Sequence, residues 1–268
     1  RFTPVPQTVT YVYRRADAGD VTVYHKSVYD NSDLSTPTVL DGSRKLGLPY
    51  TTSPETYSDY EIDTVPSNAT GTYVSGSQTV TYLYKRKQSG GVVVNYLDNH
   101  GNRIETPDTI TGTDNVGLPY TTTPKVIPNY TLIVVPGNAN GTFTVDPITV
   151  NYIYKRDDAG DVVVEHIDEN GNVPLESHEV LDGREKLGEN YTTSSKVFDN
   201  YYLISVPSNS TGTFISGSQT VTYVYRRRDA GDVIAHYVNT AGIPIESDEI
   251  LDGTRSLGLP YATAAKAI

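Results

Sequence analysis

The sequence predicts a mainly β protein, α+β at most, built as a tandem array of small modules with a period of about 70 residues and strung into an elongated rod. Three observations predict it. One tyrosine-rich stretch recurs four times, as PQTVTYVYRR (6–15), SQTVTYLYKR (77–86), PITVNYIYKR (147–156) and SQTVTYVYRR (218–227). Separate landmarks keep one spacing: Gly19, Gly90, Gly160 and Gly231, then Tyr50, Tyr120, Tyr191 and Tyr261, then Tyr13, Tyr84, Tyr154 and Tyr225, fall 70 or 71 residues apart. Within each copy the apolar residues alternate with period two, which marks strands rather than helices.

The period divides the chain into the closing strand of a preceding copy (1–15), three complete modules (19–87, 90–156 and 160–227) and the opening part of a further one (231–268). Neither end contains a counterpart of PNYTLIVVPGNANG (128–141), and residue 1 is Arg. The chain therefore reads as a processed form or an excised window of a longer array. The boundaries YRRADAGD, YKRKQSGG, YKRDDAGD and YRRRDAGD are short. Short joints predict neighbouring modules in contact and a semi-rigid array.

Each module opens on a strand. In VVVNYLD (92–98), Val92, Val94 and Tyr96 share one face, and Val93, Asn95 and Leu97 the other. In DENGN (168–172), Asn170-Gly171 suits a tight turn with positive φ, so a hairpin into VPLESHEVL (173–181) follows. His100-Gly101 and Ala241-Gly242 occupy the matching turns, whereas DNSD (30–33) must turn differently. The middle segment, DGREKLGENYTTSSKV (182–197) and its counterparts, admits a short helix or 3₁₀ turn. Gly47, Gly117, Gly188 and Gly258, with Pro49, Pro119 and Pro260, argue against a long one. NYTLIVVP (129–136), a turn at GNANG (137–141), a short TFTV strand (142–145) and the final ITVNYIY (148–154) complete a module of about five strands.

A unit this small buries only about 60% of its unfolded surface, so its core is thin. Tyrosine suits such a core, because it supplies large apolar area and leaves its hydroxyl at a wet edge. The chain has 22 Tyr against 4 Phe and no Trp, so strand tyrosines such as Tyr82 and Tyr84 read as core or edge residues before ligand platforms. Zero Cys excludes disulfides, thiolate metal sites and cysteine nucleophiles. A net charge of −11 argues against non-specific nucleic-acid binding and against a grip on anionic lipid. No apolar run approaches the roughly 18 residues of a membrane helix.

Five groups of residues are candidates for chemistry. The histidines are His25, His100, His166, His178 and His236. His25 and His166 share a strand position that Tyr96 and Tyr237 fill elsewhere, and no module offers the three or four converging ligands zinc needs. Asp98 and Asn102, or Asp168, Glu169 and Asn172, surround hairpin tips where oxygen ligands could meet Ca²⁺, though five-residue turns suffice as turns. The Asp before Gly in LDG (40–42, 181–183, 251–253) gives way to Thr111 in the second module and reads as turn chemistry. NAT (68–70) and NST (209–211) fit a glycosylation sequon and equally a turn between strands. The basic runs Arg14-Arg15, Lys85-Arg86-Lys87, Lys155-Arg156 and Arg226-Arg227-Arg228 could meet sialic acid or sulfate. Otherwise they solvate strand ends and pair with the aspartates that follow. No catalytic, cofactor or metal residues are assigned, the ligand-binding residues are left unknown, and no enzyme is expected. Covalent Lys–Asn cross-links are left open.

The stretch GVVVNYLDNHGNRIETPDTITGTDNVGLPYTTTPKVIPNYTLIVVPGNANGTFTVDPITVNYIYKR (91–156) resembles a MucBP (mucin-binding protein) repeat of Gram-positive surface adhesins. The resemblance rests on YLDNHGN, TGT, VGLPYTTTP, PNYTL, VPGNANGTF and TVNYIYK in order. The third module departs from it with GENYTTSS, and the first lacks the turn glycine. It implies a secreted, cell-wall-attached adhesin or spacer and a small module resembling the β-grasp of ubiquitin-like domains. It also implies mucin glycoproteins or other glycans as partners, and it brings no catalytic residues, no cofactor and no residue-level sugar site. Two functions follow as expectations: a multivalent glycan-binding adhesin segment, or a stalk that projects a distal binding domain.

Overall fold

Strands form where the alternation is strictest. The computed structural model, which describes residues 1–170 and 173–267, divides into two compact units, Arg1–Lys125 with Val134–Ile153, and Val126–Ile133 with Tyr154–Ile268. The first module contributes β1 (Val21–Ser27), β2 (Thr38–Leu40), β3 (Pro49–Thr51), β4 (Tyr60–Thr64), β5 (Thr70–Thr72) and β6 (Gln78–Arg86). The second repeats the set as β7 (Val92–Asp98), β8 (Arg103–Ile110), β9 (Pro119–Thr121), β10 (Tyr130–Val134), β11 (Asn140–Thr142) and β12 (Ile148–Arg156). The third does so as β13 (Val162–Asp168), β14 (Glu179–Leu181), β15 (Asn190–Thr192), β16 (Tyr201–Ser205), β17 (Thr211–Thr213) and β18 (Gln219–Arg227). β19 (Val233–Ala235) and β20 (Glu249–Leu251) open a further copy. There is no helix among the described residues.

In the first module the sheet order is β2-β1-β6-β4, with a separate β3-β5 ribbon; the third repeats it as β14-β13-β18-β16 with β15-β17. The central strands run parallel, Val21 opposite Gln78 and His25 opposite Tyr82, and likewise Val162 opposite Gln219 and His166 opposite Tyr223. The edge strand β4 pairs antiparallel to β6, and its register shifts between Ile62 and Thr64. β16 shifts at the matching place, between Leu203 and Ser205. A shift there twists an exposed edge away from further pairing.

Period-two alternation puts one face of each central pair inside. Val21, Val23, Val80, Tyr82 and Tyr84 form the first core with Tyr50 and Tyr73; Val162, Val164, Val221, Tyr223 and Tyr225 form the third with Tyr191 and Phe214. Tyr82 and Tyr84 are 0% and 1% exposed, so they are core residues outright. Val92, Val94 and Tyr96 occupy the buried face of β7, as the alternation requires.

Four sequence expectations need correction. Each module holds six strands among the described residues, because β3, β9 and β15 lie in the middle segment, where the sequence admits a short helix or 3₁₀ turn. The short strand predicted at 142–145 ends at Thr142, since the ladder sets Gly141 opposite Tyr120 and leaves Phe143 as a core plug beyond it. The hairpin is present in the second module, where β8 pairs along β7, but the third module returns less regularly. β14 begins only at Glu179, with one isolated bridge from Ile167 to Pro174, and the Asn170-Gly171 turn reaches Gly171, outside the described residues. Residues 1–15 carry the sequence of a closing strand but form none: Val9, Tyr11 and Tyr13 are exposed, because a strand needs a partner and this stretch has none among the described residues. The predicted turns elsewhere are present, with Gly101 and Gly242 at φ 87° and 76°, and Asn31 at φ 58° makes the different turn of the first module.

Candidate functional site

His25 and His166 are buried and lie nearly parallel to Tyr82 and Tyr223, with ring centroids 5.2 Å apart in each pair. His25 Nδ1 lies 2.9 Å from the Tyr84 hydroxyl, and His166 Nδ1 lies 3.3 Å from Glu176 Oε1. Tyr96 fills the same slot in the second module, stacking on Tyr152 and donating to Asp108 Oδ2 at 2.8 Å. The shared position is thus a core stacking slot. His100 and His178 are exposed, and His236 meets Asp248 at 2.7 Å. No group of three or more His, Asp or Glu among the described residues could hold a metal ion.

The turn carboxylates serve their own loops. Asp98 Oδ1 accepts the His100 and Asn102 amides at 2.9 and 2.7 Å, and Asp168 Oδ1 accepts that of Asn170 at 2.7 Å; Asn172 lies outside the described residues. Asp41, Asp182 and Asp252 each accept the amide two residues on. The sequon asparagines donate their side-chain amides across the turn, Asn68 to Thr79 O and Asn209 to Thr220 O at 2.9 and 2.8 Å, as Asn138 does to Thr149 O. These are turn roles.

The basic runs behave otherwise. One arginine at a fixed position in every joint donates Nη1 to a carbonyl of the module that follows: Arg15 to Leu46 O at 2.8 Å, Arg86 to Val116 O at 3.1 Å, Arg156 to Leu187 O at 3.0 Å and Arg227 to Leu257 O at 2.9 Å. Three of these guanidiniums lie over a tyrosine of the module before, Tyr60, Tyr130 and Tyr201, at 5.1, 4.7 and 4.6 Å. Arg156 and Arg227 also donate to the hydroxyl of that tyrosine, at 2.7 and 2.5 Å. A planar fork that stacks and donates at once suits this place, and Lys would not replace it. The neighbouring basic residues do pair with carboxylates: Lys155 with Asp158 at 3.6 Å, and Arg226 with Glu169 through two bonds of 2.6 and 2.8 Å.

The linkers beyond Arg15 and Arg156 also bond the module that follows. Ala18 donates to Gly42 O and Gly19 to Val74 O; Ala159 donates to Gly183 O and Gly160 to Ile215 O, all at 2.8–2.9 Å. The glycine of LDG is required by this approach, since a Cβ on Gly42 would stand 2.5 Å from Gly19 O. The basic runs read from sequence as strand-end solvating groups, and the structure instead gives these arginines backbone partners. The available signal was the recurrence of tyrosine 26 residues before the arginine, as Tyr60–Arg86, Tyr130–Arg156 and Tyr201–Arg227. A cleft of about 590 Å³ in the third module is lined by Glu165, Glu176, Ser177, His178 and Thr222.

Comparison with known proteins places these features in a family. The MucBP domain model matches residues 20–85, 91–155, 161–226 and 232–268. The chain is 39% identical to Internalin J of Listeria monocytogenes over its whole length, and 32% identical over 65% of its length to Muramidase-released protein of Streptococcus suis. It spans only 29% of the former and 13% of the latter. Among solved structures, a type 2 repeat of the mucus binding protein MUB from Lactobacillus reuteri aligns at 16% identity and a TM-score of 0.19, covering 52% of this chain and 100% of that one. The Bacillus anthracis TIE protein aligns at 7% identity and a TM-score of 0.43, covering 78% of this chain and 50% of that one. With most of its length matched in four successive segments, the chain belongs to the MucBP domain family.

Proposed function

We propose that this chain is a non-catalytic segment of a Gram-positive surface adhesin, extracellular and attached to the cell wall, that presents repeated weak sites to mucin or other host glycans. The family membership carries the reading, together with the recurrence of one module, in the frame 19–87, 90–156 and 160–227, at a fixed spacing. Weak sites on one chain gain avidity because later contacts become intramolecular. The test is retention on immobilised mucin and a glycan array of the whole chain against a one-module fragment. Strong retention of the whole chain with poor retention of the fragment supports the reading; equal, negligible retention of both overturns it.

A second reading has its own observation. The docked arginine recurs at every joint, an arrangement that favours a stalk projecting a distal binding domain. A 70-residue module measures roughly 28 Å across, so three in line would reach about 85 Å or more. Small-angle scattering that reports a compact globule would contradict the stalk.

A further inference from the structure

We propose that the cleft of the third module binds an uncharged sugar bearing neighbouring hydroxyls, with the Glu165 carboxylate as their acceptor. The proposal rests on the adhesin reading above and names the class of glycan. The floor of the cleft is the outer face of the central sheet. There β13 and β18 set Glu165 opposite Thr222 and Ile167 opposite Val224, while His166 and Tyr223 between them are buried in the core. Pro174, Ser177 and His178 form the wall. It stands because the returning chain meets β13 at the isolated Ile167–Pro174 bridge and rejoins the sheet only at Glu179. In the second module β8 pairs along β7 from Arg103 to Ile110, so the sheet continues where the third module has its wall.

Glu165 is half-buried, and among the described residues it accepts only a long bond, from Thr222 Oγ1 at 3.4 Å. Two nearby cations are already engaged: Arg226 donates twice to Glu169, and Lys196 holds Glu176 at 2.6 Å. A carboxylate offers about four lone-pair sites, so Glu165 keeps room for two O–H donors. Neighbouring sugar hydroxyls supply two such donors, and bonds to an ionised acceptor are about twice as strong as neutral ones. The exposed Ser177 and His178 side chains add groups that both give and accept hydrogen bonds. Ile167 and Val224 offer an apolar floor to the C–H face of a ring, and a cleft of about 590 Å³ falls within the size range of small-molecule sites.

The same charge disfavours sialylated or sulfated sugars, whose anionic groups would meet the Glu165 carboxylate as a like charge. A metal ion lacks ligands, since no group of three or more His, Asp or Glu among the described residues could hold one. The matching pairs in the other modules differ. The first sets Tyr24 opposite Thr81, and the second closes its pair internally, Asn95 donating to Asn151 Oδ1 at 2.9 Å. The carboxylate acceptor is therefore particular to the third module.

Nuclear magnetic resonance titration of the isotope-labelled whole chain, read at the backbone amides of Glu165, Ser177, His178 and Thr222, tests the assignment. The probes are methyl galactoside and methyl mannoside as neutral sugars, N-acetylneuraminic acid as an anion and an N-acetylated lysine amide as a cation. Saturable shifts with at least one neutral glycoside and none with the acid are expected, and Glu165→Gln should weaken that affinity about tenfold. Unchanged resonances outside the cleft show that the variant is folded. No saturable shift with either glycoside, an equal or stronger response to the acid or the lysine amide, or unchanged affinity in Glu165→Gln overturns the proposal. Retention of the same chain on mucin separates this proposal from the adhesin reading. Retention with a silent cleft overturns the cleft alone, and absence of both retention and shifts overturns both.

Discussion

Removing one hydroxyl should open one module while sparing its outline. Thr122 Oγ1 donates to Ala139 O at 2.9 Å and lies 2.9 Å from the Tyr152 hydroxyl. A hydroxyl has one hydrogen, so Tyr152 is the donor in the second bond. Ala139 O keeps a second donor in the Thr122 amide at 2.8 Å. Thr122→Val therefore strands one group only, the O–H of Tyr152, which is 1% exposed. A stranded buried donor costs about 1–3 kcal/mol, whereas Tyr152→Phe forfeits only an ordinary bond of roughly 0.5–1.5 kcal/mol and leaves Thr122 with its own donation intact. Hydrogen exchange reads this locally, which an array unfolding in several steps demands. Amides of 148–156 should exchange roughly 5- to 150-fold faster in Thr122→Val, at tenfold per 1.4 kcal/mol, and less so in Tyr152→Phe. The double variant should cost less than the sum, since nothing is left stranded. Equal effects of the two single changes, or strict additivity, would refute the assignment of donor and acceptor.

Other perturbations bear on the joints. Gly183→Ala sets a Cβ 2.5 Å from Gly160 O and should cost about 1–3 kcal/mol and expose the Ala159 and Gly160 amides to exchange, whereas Gly217→Ala meets nothing within 4 Å and should be silent. Arg227→Lys cannot serve Leu257 O and Tyr201 Oη together, so exchange at the Leu257 amide should rise. The Asp158 carboxyl is held below the usual range, chiefly by the Glu185 backbone N–H, with Lys155 adding attraction. A depressed carboxylate stabilises above its unfolded value and loses that contribution as pH falls through its folded value, so the Glu185 N–H to Asp158 bond should weaken only below about pH 4. The Glu185 amide resonance should follow that titration in the native chain and stay flat in Asp158→Asn.

The sequence made the central strands legible because burial there is strictly alternate. Val92, Val94 and Tyr96 announce their face, and the same pattern marks Val80, Tyr82 and Tyr84. β3 was hidden because it is defined by pairing rather than by pattern: only Tyr50 of its three residues is buried, and its ladder partner Gly71 lies about 20 residues away. β11 was misplaced by two residues because the aromatic signal of Phe143 reports burial, while the ladder sits on Asn140–Thr142. The arginine joints were illegible for a different reason. Their acceptors are backbone carbonyls about 30 residues downstream, which carry no mark in the side-chain pattern. The stacking slot of His25 and His166 is implied by Tyr96, which fills the same strand position in the second module.

Hydrogen exchange of the whole chain carrying Tyr82→Ala probes whether every module owns its interior. Losing a fully buried aromatic ring costs about 3–5 kcal/mol, enough to open a thin core. Protection should vanish from β1, β4 and β6 and stay unchanged in β13 and β18. Loss of protection in β13 and β18 as well would contradict modules that fold around separate cores.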